Sequence, residues 1–214
     1  MDELRYTLVA EGSSDAALLP ILNWLLIQNG VRCPIQGERA DVGALPLPIR
    51  PKLTDKISAS LDFYPCDLLF IHRDSDRYTR EKRTQEICKA ISDLPEELSP
   101  VFVCVIPVRM QEAWLLIDEA AIKSAAGNRR YAGQLNLPPL NRLERIPDAK
   151  EVLNGLLRQA SDLNRRRQRR FPVAKRVRLV AEFIEDFTPL RQLSAFVALE
   201  EEVRSAIQAN NWDL

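Results

Sequence analysis

Histidine and glycine are both scarce in this chain of 214 residues. His72 is the only imidazole, and one imidazole cannot build a His-rich zinc site, an HExxH metalloprotease or a His-Asn-His nuclease. None of the 7 glycines begins GxxxxGK(S/T) or GxGxxG, so both common phosphate-binding loops are missing. Any nucleotide hydrolysis is therefore expected to come from a partner.

Paired cysteines and long apolar runs are also missing. The 4 cysteines are far apart and form no CxxC pair, a pattern typical of reduced thiols in a cytosolic protein. The longest apolar stretch, residues 16–27, contains Pro20 and Asn23 and is shorter than the roughly 20 residues of a membrane-spanning helix. No apolar leader precedes the first strand-like segment. These features predict a cytoplasmic protein that does not enter a membrane.

Charge is balanced over the whole chain, with 30 basic and 30 acidic residues, but uneven along it. The segment 158–178 is Arg-rich and contains Asp162 as its only acid, whereas residues 179–214 are acidic. Because guanidinium groups pair with phosphate oxygens, the segment is expected to bind nucleic acid or a partner's acidic surface. A solvated helix face, or a loop docked on the acidic end of the same chain, explains the pattern equally well. The arginines assigned to nucleic-acid contact are Arg165, Arg166, Arg167, Arg169 and Arg170.

Short apolar runs alternate with helical patterns in the first half of the chain. The runs of strand length lie at 6–10, 66–72 and 101–106. The helical patterns lie at 16–28, 53–61 and 78–94. A Pro-rich edge strand and loop are expected at 31–52. This alternation predicts an α/β fold with a Rossmann-like, mostly parallel sheet flanked by helices and joined by right-handed crossovers.

The second half of the chain has a helical pattern only. Helices are predicted at 111–126, 149–169, 173–187 and 193–208. A stretch rich in Pro and Asn, residues 127–147, separates the first of these helices from the others. We therefore divide the chain into a sheet-bearing domain at 1–126 and an α-helical C-terminal extension at 127–214.

Acidic residues follow the strand-like runs. Glu11 and Asp15 follow the first run, Asp74 and Asp76 follow the run at 66–72, and Glu112 comes shortly after the run at 101–106. The carboxyl ends of parallel strands meet at one edge of a sheet, so these carboxylates are expected to converge there. Converging carboxylates repel one another unless a cation lies between them. Ligands that are all oxygens favour Mg²⁺ or Mn²⁺ over zinc.

Two segments resemble a known family. Residues 8–15, LVAEGSSD, and residues 69–76, LFIHRDSD, resemble the Toprim domain of topoisomerases, bacterial primases, recombination mediators and overcoming-lysogenization-defect nucleases. The resemblance covers about residues 4–120 and implies a Toprim-like catalytic domain. It assigns catalysis and metal binding to Glu11, Asp74 and Asp76, which match the family's Glu and Asp-x-Asp. In the overcoming-lysogenization-defect branch, a further Asp and a later Glu also hold metal, and these match Asp15 and Glu112.

The resemblance implies Mg²⁺- or Mn²⁺-dependent hydrolysis of phosphodiester bonds in DNA or RNA. Residues 108–116, VRMQEAWLL, also resemble small stand-alone Toprim-like bacterial proteins, which often accompany an ATPase in phage-defence loci. The chain is therefore expected to be a nuclease that acts with a partner ATPase. The alternative is a Toprim module that binds nucleic acid or an ATPase without cutting, or that cuts only after a partner activates it.

Basic residues next to the predicted acidic site have two interpretations. Arg73, Arg77 and Arg109 flank the acids and would offset phosphate charge in the transition state. Ion pairing with the same carboxylates is the other interpretation. His72, at the end of its strand, is either a hydrogen-bonded structural residue or a base.

Other enzymes also use Asp-x-Asp after a strand. Haloacid-dehalogenase-like phosphatases place it after the first strand, usually followed by x-Thr or x-Val, whereas here it follows a later strand and precedes Arg77 and Tyr78. Sugar-nucleotide glycosyltransferases use the motif to hold Mn²⁺ and a diphosphate, but they give no reason for Glu11 and Asp15. Both classes therefore explain less of the sequence than a nuclease does.

Overall fold

The computed structural model describes residues 2–213, except for the side chain of Ser13. Its centre is a four-stranded, all-parallel sheet with strand order β2-β1-β3-β4. The strands are β1 (Leu4–Val9), β2 (Ile35–Arg39), β3 (Leu68–His72) and β4 (Phe102–Val105). Helices flank this sheet, which confirms the predicted α/β, Rossmann-like architecture.

A helix follows each strand, and the described chain after β4 is helical or irregular. The α-helices are α1 (Leu18–Gln28), α2 (Leu53–Phe63), α3 (Arg80–Ser92), α4 (Glu119–Ala125), α5 (Ala149–Ser161), α6 (Arg165–Gln168), α7 (Val173–Phe183) and α8 (Ser194–Asn210). Short 3₁₀ helices cover Ser13–Ala17, Val42–Ala44, Gln111–Leu115, Leu140–Arg145 and Thr188–Gln192. No helix in the range 2–213 combines the length and the apolar surface that crossing a bilayer requires.

The alternation of side chains along the strands divides the apolar residues between two faces. Leu8 and Phe70 point to the face that α1 covers, whereas Leu69 and Ile71 point to the face that α2 and α3 cover. Right-handed crossovers produce this arrangement, because the chain moves from β1 to β2 in one direction and from β2 through β3 to β4 in the other. The connections after β1 and β3 therefore leave toward opposite faces.

The helical extension packs on the same face as α1. The apolar core there runs without a break from sheet residues to Leu157 of α5, Val180 of α7 and Phe196 of α8. α8 also lies along β4, where Glu202 Oε2 accepts the Cys104 N–H at 2.9 Å. β4 is an edge strand, and its Cys104 N–H could otherwise donate to a strand of another chain. The Glu202 carboxylate accepts this N–H instead.

Three helices predicted in the second half of the chain are interrupted or end early. The helix predicted at 173–187 ends at Phe183, because Ile184 has an extended backbone. The helix predicted at 111–126 is divided into a 3₁₀ helix and α4, because Asp118 caps α4 by accepting the Ala121 N–H at 3.0 Å. The helix predicted at 149–169 ends at Ser161, because Asp162 adopts a left-handed backbone with φ 50°. The short helix α6 then begins separately.

Candidate acidic site at the carboxyl edge of the sheet

The candidate site lies where the chain reverses direction across the sheet. β1 and β3 are neighbours, but the helices that follow them cover opposite faces, which opens a crevice at the carboxyl ends of the two strands. Open parallel sheets bind their ligands in such a crevice. Glu11 follows β1, Asp74 follows β3, and Glu112 follows β4. The fold therefore delivers the predicted acidic residues to one edge of the sheet.

Backbone contacts join two loops at the mouth of this crevice. The Arg109 N–H donates to Ser75 Oγ at 2.6 Å, and the Asp76 N–H donates to the Arg109 carbonyl at 3.2 Å. Asp76 and Arg109 both have left-handed backbones, with φ of 51° and 63°. Non-glycine residues rarely adopt this conformation, which costs free energy and is common at functional sites. The strain is thus concentrated beside the acidic side chains.

Three carboxyl groups, of Asp15, Asp74 and Glu112, form what we call the inner cluster. Asp15 is 7% exposed and Glu112 is 4% exposed, and both act electrostatically on Asp74. Asp15 is held from two sides, because Oδ2 accepts the Gly12 N–H at 2.8 Å and Oδ1 accepts Gln111 Nε2 at 2.7 Å. Asp15 is therefore held in place by neutral donors, and the ion pair of the inner cluster is the one between Glu112 and the exposed Lys150.

The surroundings of Asp74 oppose its ionisation. Burial, followed by the negative charges of Glu112, Asp15 and Asp76, raises the pKa of the Asp74 carboxyl to about 7, although the backbone N–H of Gln111 lowers it. Asp74 Oδ1 is buried and has no hydrogen-bond partner among the described residues. Oxygen atoms that repel one another and lack donors form an environment that fits a hard divalent cation.

His72 lies beneath Asp74 and is itself buried. Its Nδ1 is 3.0 Å from the Val105 carbonyl oxygen, which can only accept, so Nδ1 carries the proton. The unprotonated Nε2 then faces Asp74 Oδ1 at 3.5 Å, beyond ordinary hydrogen-bond length. Burial also lowers the pKa of His72. This placement favours the structural interpretation of His72 over its interpretation as a base.

Glu11 and Asp76 belong to what we call the ion-pair chain. Glu11 pairs with Arg73, whose Nη2 also lies 3.0 Å from Glu86 Oε1. Arg83 extends the chain, since its Nη1 is 2.8 Å from Glu86 Oε2 and its Nη2 is 3.3 Å from Asp76 Oδ2. Within residues 2–213, no three His, Cys, Asp or Glu side chains converge closely enough to hold a metal ion.

The structure thus groups some of the predicted metal ligands and gives the others arginine partners. Arg83 and Glu86, both on α3, are site residues that the sequence analysis missed. Their spacing indicates a pair on one helix face. No sequence signal shows that this face meets the acidic edge of the sheet, because that contact depends on how α3 packs.

The predicted phosphate-binding arginines behave differently from one another. Arg73 pairs with carboxylates, which is the second of its two interpretations. Arg77 and Arg109 make no ion pair with any described residue and both are exposed. They line an open cleft of about 630 Å³ together with Asp76, Tyr78, Met110 and Pro147. Arg77 and Arg109 are therefore placed to meet an anion that enters this cleft.

The predicted arginines at 165–170 lie beyond the other end of α5. The first turn of α5 is next to the site, because Lys150 Nζ is 3.7 Å from Glu112 Oε1, whose pKa is raised by burial. α5 has 13 residues, and a helix of that length spans about 20 Å. Beyond its C-terminal end, Asn164 and the predicted Arg166, Arg167 and Arg170 line a surface pocket of about 340 Å³. The structure does not bring these arginines to the acidic residues.

Comparisons with protein-family models, with curated proteins and with solved structures gave no match. The resemblance to the Toprim domain accordingly stays a prediction, and the chemistry of the site is argued from its own residues.

Proposed function

We propose that this protein is a divalent-metal-dependent nuclease that hydrolyses phosphodiester bonds in DNA or RNA. The observation that carries the proposal is the inner cluster at the crevice between β1 and β3, in which Asp15 and Glu112 are near enough to Asp74 to raise its pKa and an Asp74 oxygen lacks a donor. The buried, mutually repelling oxygens fit Mg²⁺ or Mn²⁺. When bound, such an ion polarises a phosphodiester and favours attack by water.

The residues around the inner cluster suit a phosphodiester substrate. Arg77 and Arg109 are exposed in the cleft and would hold phosphate oxygens there. Tyr78, 48% exposed, and Pro147 would form walls against which a sugar or base packs. Lys150, in the first turn of α5, lies beside Glu112 and adds a third positive charge near the inner cluster. The chain itself thus supplies substrate binding and orientation.

A partner-activated nuclease is a second candidate, and the ion-pair chain favours it. Glu11 and Asp76 are predicted metal ligands, but Arg73 and Arg83 hold their carboxylates. If both ligands are needed for cutting, these pairs must open first. A partner ATPase, as in phage-defence systems, is one agent that would open them.

We also propose a cytoplasmic location, which suits the free thiols of Cys33, Cys66, Cys88 and Cys104.

Cleavage of plasmid DNA, single-stranded DNA and tRNA tests the proposal. The wild-type chain is compared with Asp74→Ala and with the matched exposed variant Glu97→Ala, each with Mg²⁺, with Mn²⁺ and with EDTA. We expect metal-dependent cutting that Asp74→Ala reduces at least 100-fold and Glu97→Ala leaves unchanged. Cutting that persists in EDTA or in folded Asp74→Ala would contradict the proposal. No cutting by the folded wild type would favour the partner-activated candidate.

A further inference from the structure

Gln111 is a buried side chain that none of the site predictions includes. It begins the 3₁₀ helix after β4 and is only 3% exposed. Its amide nitrogen donates to Asp15 Oδ1 at 2.7 Å. Its amide oxygen, Oε1, is also buried but has no hydrogen-bond partner among the described residues. Buried amide oxygens are normally paired, so this one calls for a physical explanation.

The orientation of the Gln111 amide follows from its neighbour. A rotation of the amide by half a turn would place Oε1 against Asp15 Oδ1, and two acceptors would then face each other. The carboxylate of Asp15 cannot relieve this contact, because both of its oxygens only accept hydrogen bonds and Oδ2 accepts the Gly12 N–H. Nε2 therefore stays on Asp15, and Oε1 stays without a donor.

Gln111 also contacts the second carboxyl group of the inner cluster. Its backbone N–H acts on Asp74, while its side chain holds Asp15, so the residue lies between them. Asp74 Oδ1 is the other buried oxygen of this cluster that lacks a partner. Two neighbouring residues thus each present one buried oxygen without a donor, and amide and carboxylate oxygens are both ligands of hard divalent cations.

We propose that Gln111 Oε1 is a ligand of a divalent cation that binds the inner cluster, together with Asp74. The inference rests on the proposed function. It accounts for the absence of three converging His, Cys, Asp or Glu side chains among the described residues, because an amide oxygen supplies a ligand that carboxylates do not. It also means that the first cation binds without opening the pairs of Glu11 and Asp76 with arginine.

Binding of Mn²⁺ alone to the full chain tests this inference without any cleavage. Calorimetric titration gives the affinity, and thermal unfolding in EDTA gives the stability of each metal-free variant. Gln111→Met has a similar length and no amide, Gln111→Glu keeps an oxygen and adds charge, and Gln208→Met is a matched exposed control on α8. Asp74→Asn serves as a variant of the other ligand.

We expect Gln111→Met to weaken Mn²⁺ binding at least tenfold and Gln208→Met to leave it unchanged. Gln111→Glu is expected to bind Mn²⁺ at least as tightly as the wild type while its metal-free melting temperature falls, because its charge adds to the repulsion within the cluster. A merely structural glutamine would not separate affinity from stability in this way.

Wild-type affinity in folded Gln111→Met, with binding lost in Asp74→Asn, would overturn the role of Gln111 and leave the metal site standing. No Mn²⁺ binding by the wild type would overturn the inference as well. If Mn²⁺ binds as expected but no nucleic acid is cut, the inference stands and the proposed nuclease function fails. The two failures are therefore distinguishable.

Discussion

The Asp74 carboxyl lowers the free energy of unfolding when it is ionised and no metal ion is bound. Its pKa rises from 3.8 to about 7 on folding, first through burial and then through Glu112 and Asp15. At a pH between these two values, the Asp74 carboxyl is protonated in the folded chain and ionised in the unfolded chain. The free energy of unfolding is therefore highest below pH 3.8 as far as Asp74 is concerned, and this contribution is lost as the pH rises through about 7.

We therefore expect Asp74→Asn to raise the melting temperature in EDTA at pH 8, and the difference from the wild type to vanish near pH 4. The side chain is 36% exposed, so solvent screening reduces the effect and we expect a rise of about 2 to 4 °C, as for about 1 kcal/mol in a chain of this size. Calorimetry across this pH range measures the difference. A lower melting temperature for Asp74→Asn at pH 8 would contradict the expectation, and the exposed Asp93→Asn is the control.

At single positions, the sequence identified acids more readily than their partners. Glu11 and Asp74 could be named because each follows an apolar run and matches a family motif. Gln111 and Glu86 could not, since a Gln and a Glu at the start or middle of a helix are ordinary solvent-facing residues. Their importance comes from packing, because Gln111 is 3% exposed against Asp15 and Glu86 joins two arginines.

At the scale of elements, α3 places the Arg83–Glu86 pair against the acidic edge of the sheet. Arg83, with 10% of its side chain exposed, pairs with Asp76 and Glu86 and donates through Nε to the Asp74 carbonyl at 3.0 Å. A cation that needs Asp76 must compete with this arginine. Arg83 of α3 therefore opposes the binding of a metal ion to Asp76, which is one of the proposed ligands.

Arg83→Gln removes that competing charge. We expect its affinity for Mn²⁺ to rise about three- to tenfold, as for the loss of about 1 kcal/mol of charge repulsion. Its melting temperature in EDTA is expected to fall, because Glu86 and the Asp74 carbonyl lose a donor. Titration calorimetry compares it with Lys89→Gln, an exposed change on the same helix. Weaker Mn²⁺ binding in Arg83→Gln would show that Arg83 supports the site instead.

α8 covers the edge strand β4 and does not contribute a side chain to the candidate acidic site. Glu202 accepts the Cys104 N–H and also pairs with Arg80. Glu202→Ala leaves both donors without this acceptor, which is expected to cost about 1 to 3 kcal/mol of the free energy of unfolding. Urea denaturation measures this loss. The adjacent and exposed Glu201→Ala is expected to change stability by less than about 0.5 kcal/mol, and an equal loss in both variants would contradict the role of Glu202.

The elements of the sheet half were predicted more accurately than the helices of the extension. Apolar runs of strand length are unambiguous when Pro or Asp bounds them, and β3 and β4 lie inside the predicted runs. Helix ends depend on single caps within a continuous helical pattern. Asp118 and Asp162 interrupt such patterns, one as a cap and one in a left-handed conformation, and an Asp at the surface of a helix looks the same in sequence.

For the whole molecule, the sequence predicted the layers but not the packing of the extension on them. The apolar stripe of α8 indicates that this helix is buried, and Phe196 and Val203 are indeed in the core. It does not indicate the partner, because contacts between residues far apart in the chain depend on the whole fold. Trp212 shows the same limit, because it follows α8 and is only 7% exposed through contacts that no helical pattern indicates.

α5 separates the cleft from the pocket lined by Arg166, Arg167 and Arg170 of the Arg-rich segment. Only a nucleic acid longer than α5 can therefore contact both places. A stacked strand advances about 3.4 Å per nucleotide and an extended single strand about twice that, so a helix of about 20 Å corresponds to about three to six nucleotides. A dinucleotide can occupy the cleft but cannot reach both places, whereas a strand of twenty nucleotides can. If the segment binds nucleic acid, its contribution must appear only with the longer ligand.

Combined substitution of Arg166, Arg167 and Arg170 by Gln tests this. We expect it to weaken binding of a labelled twenty-nucleotide strand at least tenfold in EDTA and to reduce the slope of log affinity against log salt by about 2, since each lost phosphate contact contributes about 0.7. Binding of a dinucleotide should not change. Fluorescence anisotropy compares it with a charge-matched control of three exposed basic residues elsewhere, Arg32, Lys89 and Arg204, also changed to Gln. Equal losses for both lengths would mean that the segment acts on the cleft itself. No loss for either would exclude nucleic-acid binding by the segment, and an acidic protein surface would then be its expected ligand.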